Sequence, residues 1–297
     1  MMMSPTASGS LSPRTLNLDV VRKMHTEICL WFLFFTFVFV IYYAFSDGDF
    51  SFLMTYAALG RSFGFAILLA RIFIKGHGKG VSLKTLWLYV FVFGSRLLSI
   101  LRHEGYLPYD KSGDFVYHST EILSLLLALS CLLFIQLKCP KSYQQKYDSF
   151  GSFQSSSFLG TLYLIVPCLL LALVLHPTLN SDFVSDVAWT FSMYMETCAI
   201  IPQLYMFQCS TANKGVVEVM VSHSVFALGF ARVLDMVFWL YSYHELTGAA
   251  GSKMAGTLVL ISQFVHIAIM ADFYYYYFLS IKNGKMMQLP VNHSNMA

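Results

Sequence analysis

The chain reads as an all-α, multi-pass membrane protein, and three observations carry that reading. Of its 297 residues 57% are hydrophobic and only 12% are charged, with a mean hydropathy of +0.60, a composition foreign to soluble domains. Apolar runs long enough to cross ~30 Å of hydrocarbon recur along the chain. The lysines and arginines gather in alternate loops, the bias that orients helices across a bilayer.

In order, residues 1–24, rich in Ser, Pro, Thr and Met, are expected to form a disordered tail. Apolar segments follow at 28–45, 52–74, 83–102, 115–137, 158–176, 186–208, 217–243 and 255–280. The first is long enough to span and is expected to be a retained helix rather than a cleaved leader. Arg14, Arg22, Lys23, Lys75, Lys79, Lys138, Lys141, Lys146, Lys214, Lys282 and Lys285 fall on one side of these spans. The other side holds Asp47, Asp49, Arg102, Lys111, Asp182 and Lys253, so both termini are expected in the cytosol. The organisation is therefore a tail (1–24), an added transmembrane helix (25–46), a seven-helix body (52–281) and a C-terminal tail (282–297).

The sixth segment, DVAWTFSMYMETCAIIPQLYMF, carries a polar stripe. Asp186, Trp189, Glu196 and Gln203 recur at spacings of three and seven and share one helical face. An ionised Glu196 in the middle of a span costs several kcal/mol against lipid, so it must face a partner or a wet cavity. Pro202 removes a backbone donor and, with Gln203, marks a kink. Elsewhere Arg61 and Arg96 place charge in the lumenal half of their segments, Arg232 lies near the middle of its own, and Asp235, one turn on, is closer to the lumen, with Trp239 one turn beyond it.

Three guanidiniums around a cavity suit a ligand bearing carboxylates, which they pair in a bidentate fashion at any relevant pH. Asp186 and Asp235 suit a basic group on the same ligand, with Trp189 as an aromatic face for it. The competing reading satisfies these arginines internally through Glu121, Glu196, Asp235 and Asp272, as a scaffold without a ligand. A net charge of +3 does not point to nucleic acid. The six cysteines lack CxxC spacing and neighbouring histidines, so neither a zinc site nor a disulfide framework is indicated, and no metal or cofactor is expected. His223 and His266 stand alone on apolar segments, and the chain has no nucleophile elbow and no HExxH, so no enzyme is expected.

WTFSMYMETCAIIPQL (189–204), SHSVFALGFAR (222–232), ADFYYYYFLSIKNGK (271–285) and GVSLK (80–84) resemble the KDEL receptors, the ER lumen protein-retaining receptors, over residues 52 to 290 or so. The resemblance implies a seven-helix fold related to PQ-loop and SWEET transporters, two three-helix bundles joined by a linking helix, here with an extra N-terminal helix. It implies a receptor in Golgi and ER membranes that takes lumenal proteins by C-terminal KDEL-like signals, releases them at higher pH, and engages coat proteins through its tail. On that pattern Arg96 receives the peptide, Trp189 and Asp186 line the pocket, and Glu196 and Arg232, with Asp272, form a buried charge network. Lys282 and Lys285 resemble the tail lysines, ahead of a longer end, MMQLPVNHSNMA. Departures are Leu97, Leu98 and Ser99 for the family's Tyr-Leu-Asp, Arg61 for a pH-sensing histidine, Ala231 for a tyrosine, and Met54 and Ser242 for arginines. Arg61 and Asp235 would then read a different C-terminal sequence. The relationship of the fold to transporters, with Pro202 and Gln203, leaves small-solute transport as a rival reading.

Overall fold

The computed structural model describes residues 13–103, 107–108, 110–151, 158–212, 216–244 and 253–289. It divides into two units, Met1–Ala44 and Phe45–Ala297. The described residues of the first lie in one helix, α1 (Pro13–Phe45), whose Ile28–Phe45 part is long and apolar enough to span. Proline suits the first helical position, and no glycine or proline follows until Gly48, so nothing halts the helix. Residues 13–24, expected as disordered tail, are thus helical; residues 1–12 lie outside the described residues.

The second unit contains α2 (Phe52–Lys75), α3 (Leu83–Ile100), α4 (His118–Leu133), α5 (Leu162–Val174), α6 (Phe183–Cys198), α7 (Ile201–Ala212), α8 (Val219–Tyr241) and α9 (Lys253–Asn283). Single π turns, Gly113–Tyr117 and Phe134–Lys138, extend α4 at both ends into one span. No strand occurs among the described residues. Local chemistry sets the ends. Gly76 (φ 66°) closes α2 by donating to Ile72 O, the Ser82 side chain accepts from Thr85 N to open α3, and Asp182 accepts from Val184 N to open α6.

Among the described residues six stretches, those in α1, α2, α3, α4 with its π turns, α8 and α9, are long and apolar enough to cross a membrane. The other two expected segments are less regular. In the fifth, Pro167 sits inside a helix of only 13 residues that follows a 3-10 turn, Leu159–Thr161. The sixth is broken between Cys198 and Ile201, immediately before Pro202, and yields α6 and α7.

Packing joins α2, α3 and α4 to one another through α4, and α9 to both α6 and α8. These two groups meet where α2 lies on α8 and α3 on α6, while α5 packs on α6. The α2–α8 contact is close because Gly60 and Gly64 stand four apart on one face. A Cβ at Gly64 would lie 3.0 Å from Ser224 O, and one at Gly60 would lie 3.3 Å from the Ala231 Cβ. Small residues let backbones approach in lipid, and Ser224 Oγ uses that proximity to donate to Gly64 O at 2.7 Å.

Candidate functional site

Where the two helix groups meet, each contributes three charged side chains to one buried cluster. Arg61 comes from α2, Arg96 from α3 and Glu121 from α4; Glu196 comes from α6, and Arg232 and Asp235 from α8. All are buried, from Glu121 at 0% exposure to Arg96 and Asp235 at 6%. Arg61 reaches Glu121 and Asp235 at 2.7 Å each and Glu196 at 3.7 Å. Arg96 meets Glu196 and, at 3.3 Å, Glu121. Arg232 lies 3.0 Å from Glu196 and 3.7 Å from Asp235, with Thr197 Oγ1 at 3.5 Å. The first group supplies an excess of one positive charge and the second an excess of one negative charge, so the cluster is an ionic seam with no net charge.

Every guanidinium of the cluster already holds a carboxylate, the arrangement that the internally paired reading describes, with Asp272 taking no part in it. Burial explains why, since an unpaired charge here costs several kcal/mol whereas a hydrogen-bonded pair offsets most of that cost.

Beside the cluster lies a cavity of about 30 Å³, roomy enough for ordered water. Arg61, Arg96, Arg232 and Asp235 line it together with Trp189 and Trp239, whose rings meet edge to face at 6.2 Å. Tyr117, Ser192, Gln263, Met54 and Met193 complete the polar and apolar walls. Arg61 Nε, Arg232 Nε and Gln263 Oε1 are buried without a hydrogen-bond partner among the described residues. The lining is therefore partly polar and under-satisfied, with donors and an acceptor left open for an added polar group.

Other predicted residues lie elsewhere. Asp186 is buried, but its Oδ1 accepts from Leu179 N (3.4 Å) and Asn180 N (3.3 Å), and it is not part of the cavity wall. The loop before α6 folds back onto the first turn and claims it. Asp272 is exposed and outside the network, because α9 turns Met270, Phe273 and Tyr277 inward and His266 takes the inner position, with Nδ1 3.2 Å from Thr197 O. Gln203 is buried at the far end of the bundle, where its Oε1 accepts from Ser82 N and its Nε2 donates to Gly80 O, each at 2.8 Å. Lys282 closes α9, and Lys285 follows Gly284; both are exposed.

Glu121, Tyr117 and Gln263 belong to the site without having been singled out as ligand contacts. Glu121 and Gln263 gave the same signal as Glu196, a polar group within an apolar span. At the rim, Asp182 joins the loop after α3 to the start of α6. Ser185 Oγ donates to it at 2.7 Å and His103 Nε2 lies 3.0 Å away, and these hydrogen bonds hold its carboxyl down at about 2.

Residues 77–242 match the family model described as "ER lumen protein retaining receptor". The chain is 33% identical over 232 residues to ER lumen protein-retaining receptor B of Arabidopsis thaliana, an alignment covering 75% of this chain and 92% of the relative. It is 32% identical over 233 residues to the ER lumen protein-retaining receptor of Petunia hybrida, again 75% and 92% of the two chains. The Drosophila melanogaster receptor of the same name is 30% identical over 234 residues, 78% of this chain and 95% of that one.

Proposed function

The chain belongs to the ER lumen protein-retaining receptor family, and from that premise we propose that it binds C-terminal retention signals of the KDEL or HDEL kind and returns their bearers from Golgi to ER. The family is one of receptors, not enzymes. The observation that supports the binding role best is the convergence of Arg61, Arg96 and Arg232 on one cavity walled by Trp189 and Trp239. Guanidinium forks are suited to the terminal carboxylate and acidic side chains of such a tail, and the indole faces to its basic group.

The arrangement of the helices, α2 to α4 in one group, α6 to α9 in the other and α5 between them in sequence, supports the PQ-loop and SWEET-like fold. With both termini in the cytosol the cavity lies toward the lumen and the exposed Lys282 and Lys285 toward coat proteins. Met54 lines the cavity where the resemblance led one to look for an arginine, which favours a signal whose acidic positions differ from those of KDEL.

Titration of the purified protein with peptides ending in KDEL, HDEL or scrambled sequences, at neutral and mildly acidic pH, tests the proposal. Saturable binding that disappears in Arg96→Ala is expected. A failure to bind any C-terminal peptide, together with solute counterflow in liposomes, would replace the receptor with a transporter. A second reading, a receptor-like trafficking protein without KDEL recognition, draws on the pairing of each of the three arginines with an internal carboxylate. Continued secretion control of an HDEL-tagged reporter after loss of the gene, in cells without another receptor, would favour it.

A further inference from the structure

The three carboxylates of the seam are not equivalent. Glu121 and Glu196 have side chains 0% and 1% exposed and do not line the cavity, whereas Asp235 stands in its wall with a side chain 8% exposed. A single oxygen of Asp235, Oδ2, lies 2.7 Å from Arg61 Nη1 and 3.7 Å from Arg232 Nη1. Both guanidiniums also have buried Nε atoms without a partner among the described residues. A carboxylate arriving through the cavity would therefore meet these two arginines where the Asp235 oxygen already sits.

We propose that Asp235 is an internal stand-in for the ligand carboxylate, a plug that a C-terminal carboxylate must displace from Arg61 and Arg232 before it can bind. The inference rests on the receptor reading and reverses one part of it, since Asp235 then opposes the signal instead of holding its basic group. Three physical points support it. Asp235 has the same chemistry as the expected ligand, it occupies the cavity face of the cluster, and its release leaves Glu121 on Arg61 and Glu196 on Arg232, so neither cation is stranded. Displacement also sets a threshold for selectivity. A tail lacking a free carboxylate gains nothing by competing, and one carrying it must pair with at least as good geometry as Asp235 does.

The test compares wild-type protein, Asp235→Asn and Glu121→Gln in binding one HDEL-ending peptide with a free C-terminus and its C-terminal amide. Asp235→Asn is expected to bind the free acid roughly tenfold or more tightly than wild type, since one charge-assisted competitor is gone, with the amide unaffected. Glu121→Gln removes the same charge from the sealed side of the cluster and is expected to gain less. Equal or weaker binding of the free acid by Asp235→Asn overturns the proposal, and weaker binding would return Asp235 to the role of ligand contact.

Because an unbalanced cluster can lower the yield of folded protein, Asp235→Ala supplies a second readout. Acetate is expected to raise its unfolding temperature, with acetamide ineffective and wild type unresponsive to either. Equal effects of acetate and acetamide would also overturn the plug. Absence of peptide binding by the wild type counts against the receptor reading alone, because the free-acid gain in Asp235→Asn and the acetate response of Asp235→Ala still decide this inference.

Discussion

Arg71 and Arg61 lie on the same helix, both wholly buried, and their surroundings differ in one respect. Arg71 donates to His77 O and Lys79 O at 2.7 Å each, and its Nε and Nη2 both meet Glu218. Each of its three nitrogens has a fixed partner, two of them backbone carbonyls that cannot leave. Nearby Gln203 uses both amide atoms on the backbone at Gly80 and Ser82, and Asp148 accepts from Ser82 Oγ at 2.8 Å and Tyr143 OH at 2.6 Å. Arg61 instead holds only side-chain carboxylates, and its Nε has no hydrogen-bond partner among the described residues. Satisfied polar clusters rigidify a bundle, whereas a partly satisfied one keeps donors open, so α2 divides a fully satisfied cluster from an under-satisfied one.

The strongest way to break that division is Glu196→Ala. The carboxylate touches Arg96, Arg232 and Arg61, and its loss leaves buried cations short of a partner, a defect that costs roughly 3–5 kcal/mol. Thermal unfolding in detergent is expected to show a large fall, the largest of these substitutions. Gln203→Ala attacks the other end. It strands a buried amide and a carbonyl and should cost about 1–3 kcal/mol, with peptide affinity unchanged in the protein that remains folded. A drop in affinity to match the drop in stability would show that the far clasp and the cavity act as one unit.

How much of this was legible depended on which question the sequence was asked. Arg61, Arg96, Glu196, Arg232 and Asp235 stood out because charge within an apolar run has few harmless explanations. Their pairing did not, since it depends on which helices neighbour one another. Asp186 was in register with Trp189 and Glu196, yet the loop at Leu179 and Asn180 claimed its carboxylate, a tertiary event that helical spacing does not encode. Asp272 failed for another reason. The helix α9 is apolar all round, so no stripe indicated its inner face, and His266 took that place. The break before α7 was local and therefore visible through Pro202.

The smallest effect concerns Asp148, outside the spans, and it probes whether the satisfied end responds to pH. Burial pushes its carboxyl above the ordinary value in spite of the Tyr143 and Ser82 hydrogen bonds, which act in the opposite direction. The folded chain therefore takes this proton before the unfolded chain does. The resulting stabilisation is complete below the ordinary carboxylate value, near 3.9, and is lost as pH rises through the raised folded value. Asp148→Asn carries no such proton, so its stability should change less steeply across that window than that of the wild type, which unfolding midpoints taken at a series of pH values would reveal. An unchanged slope would mean that the hydrogen bonds of Asp148 compensate for its burial fully. The contrast with Arg61 would then rest on hydrogen-bond satisfaction alone, with desolvation playing no part at the satisfied end.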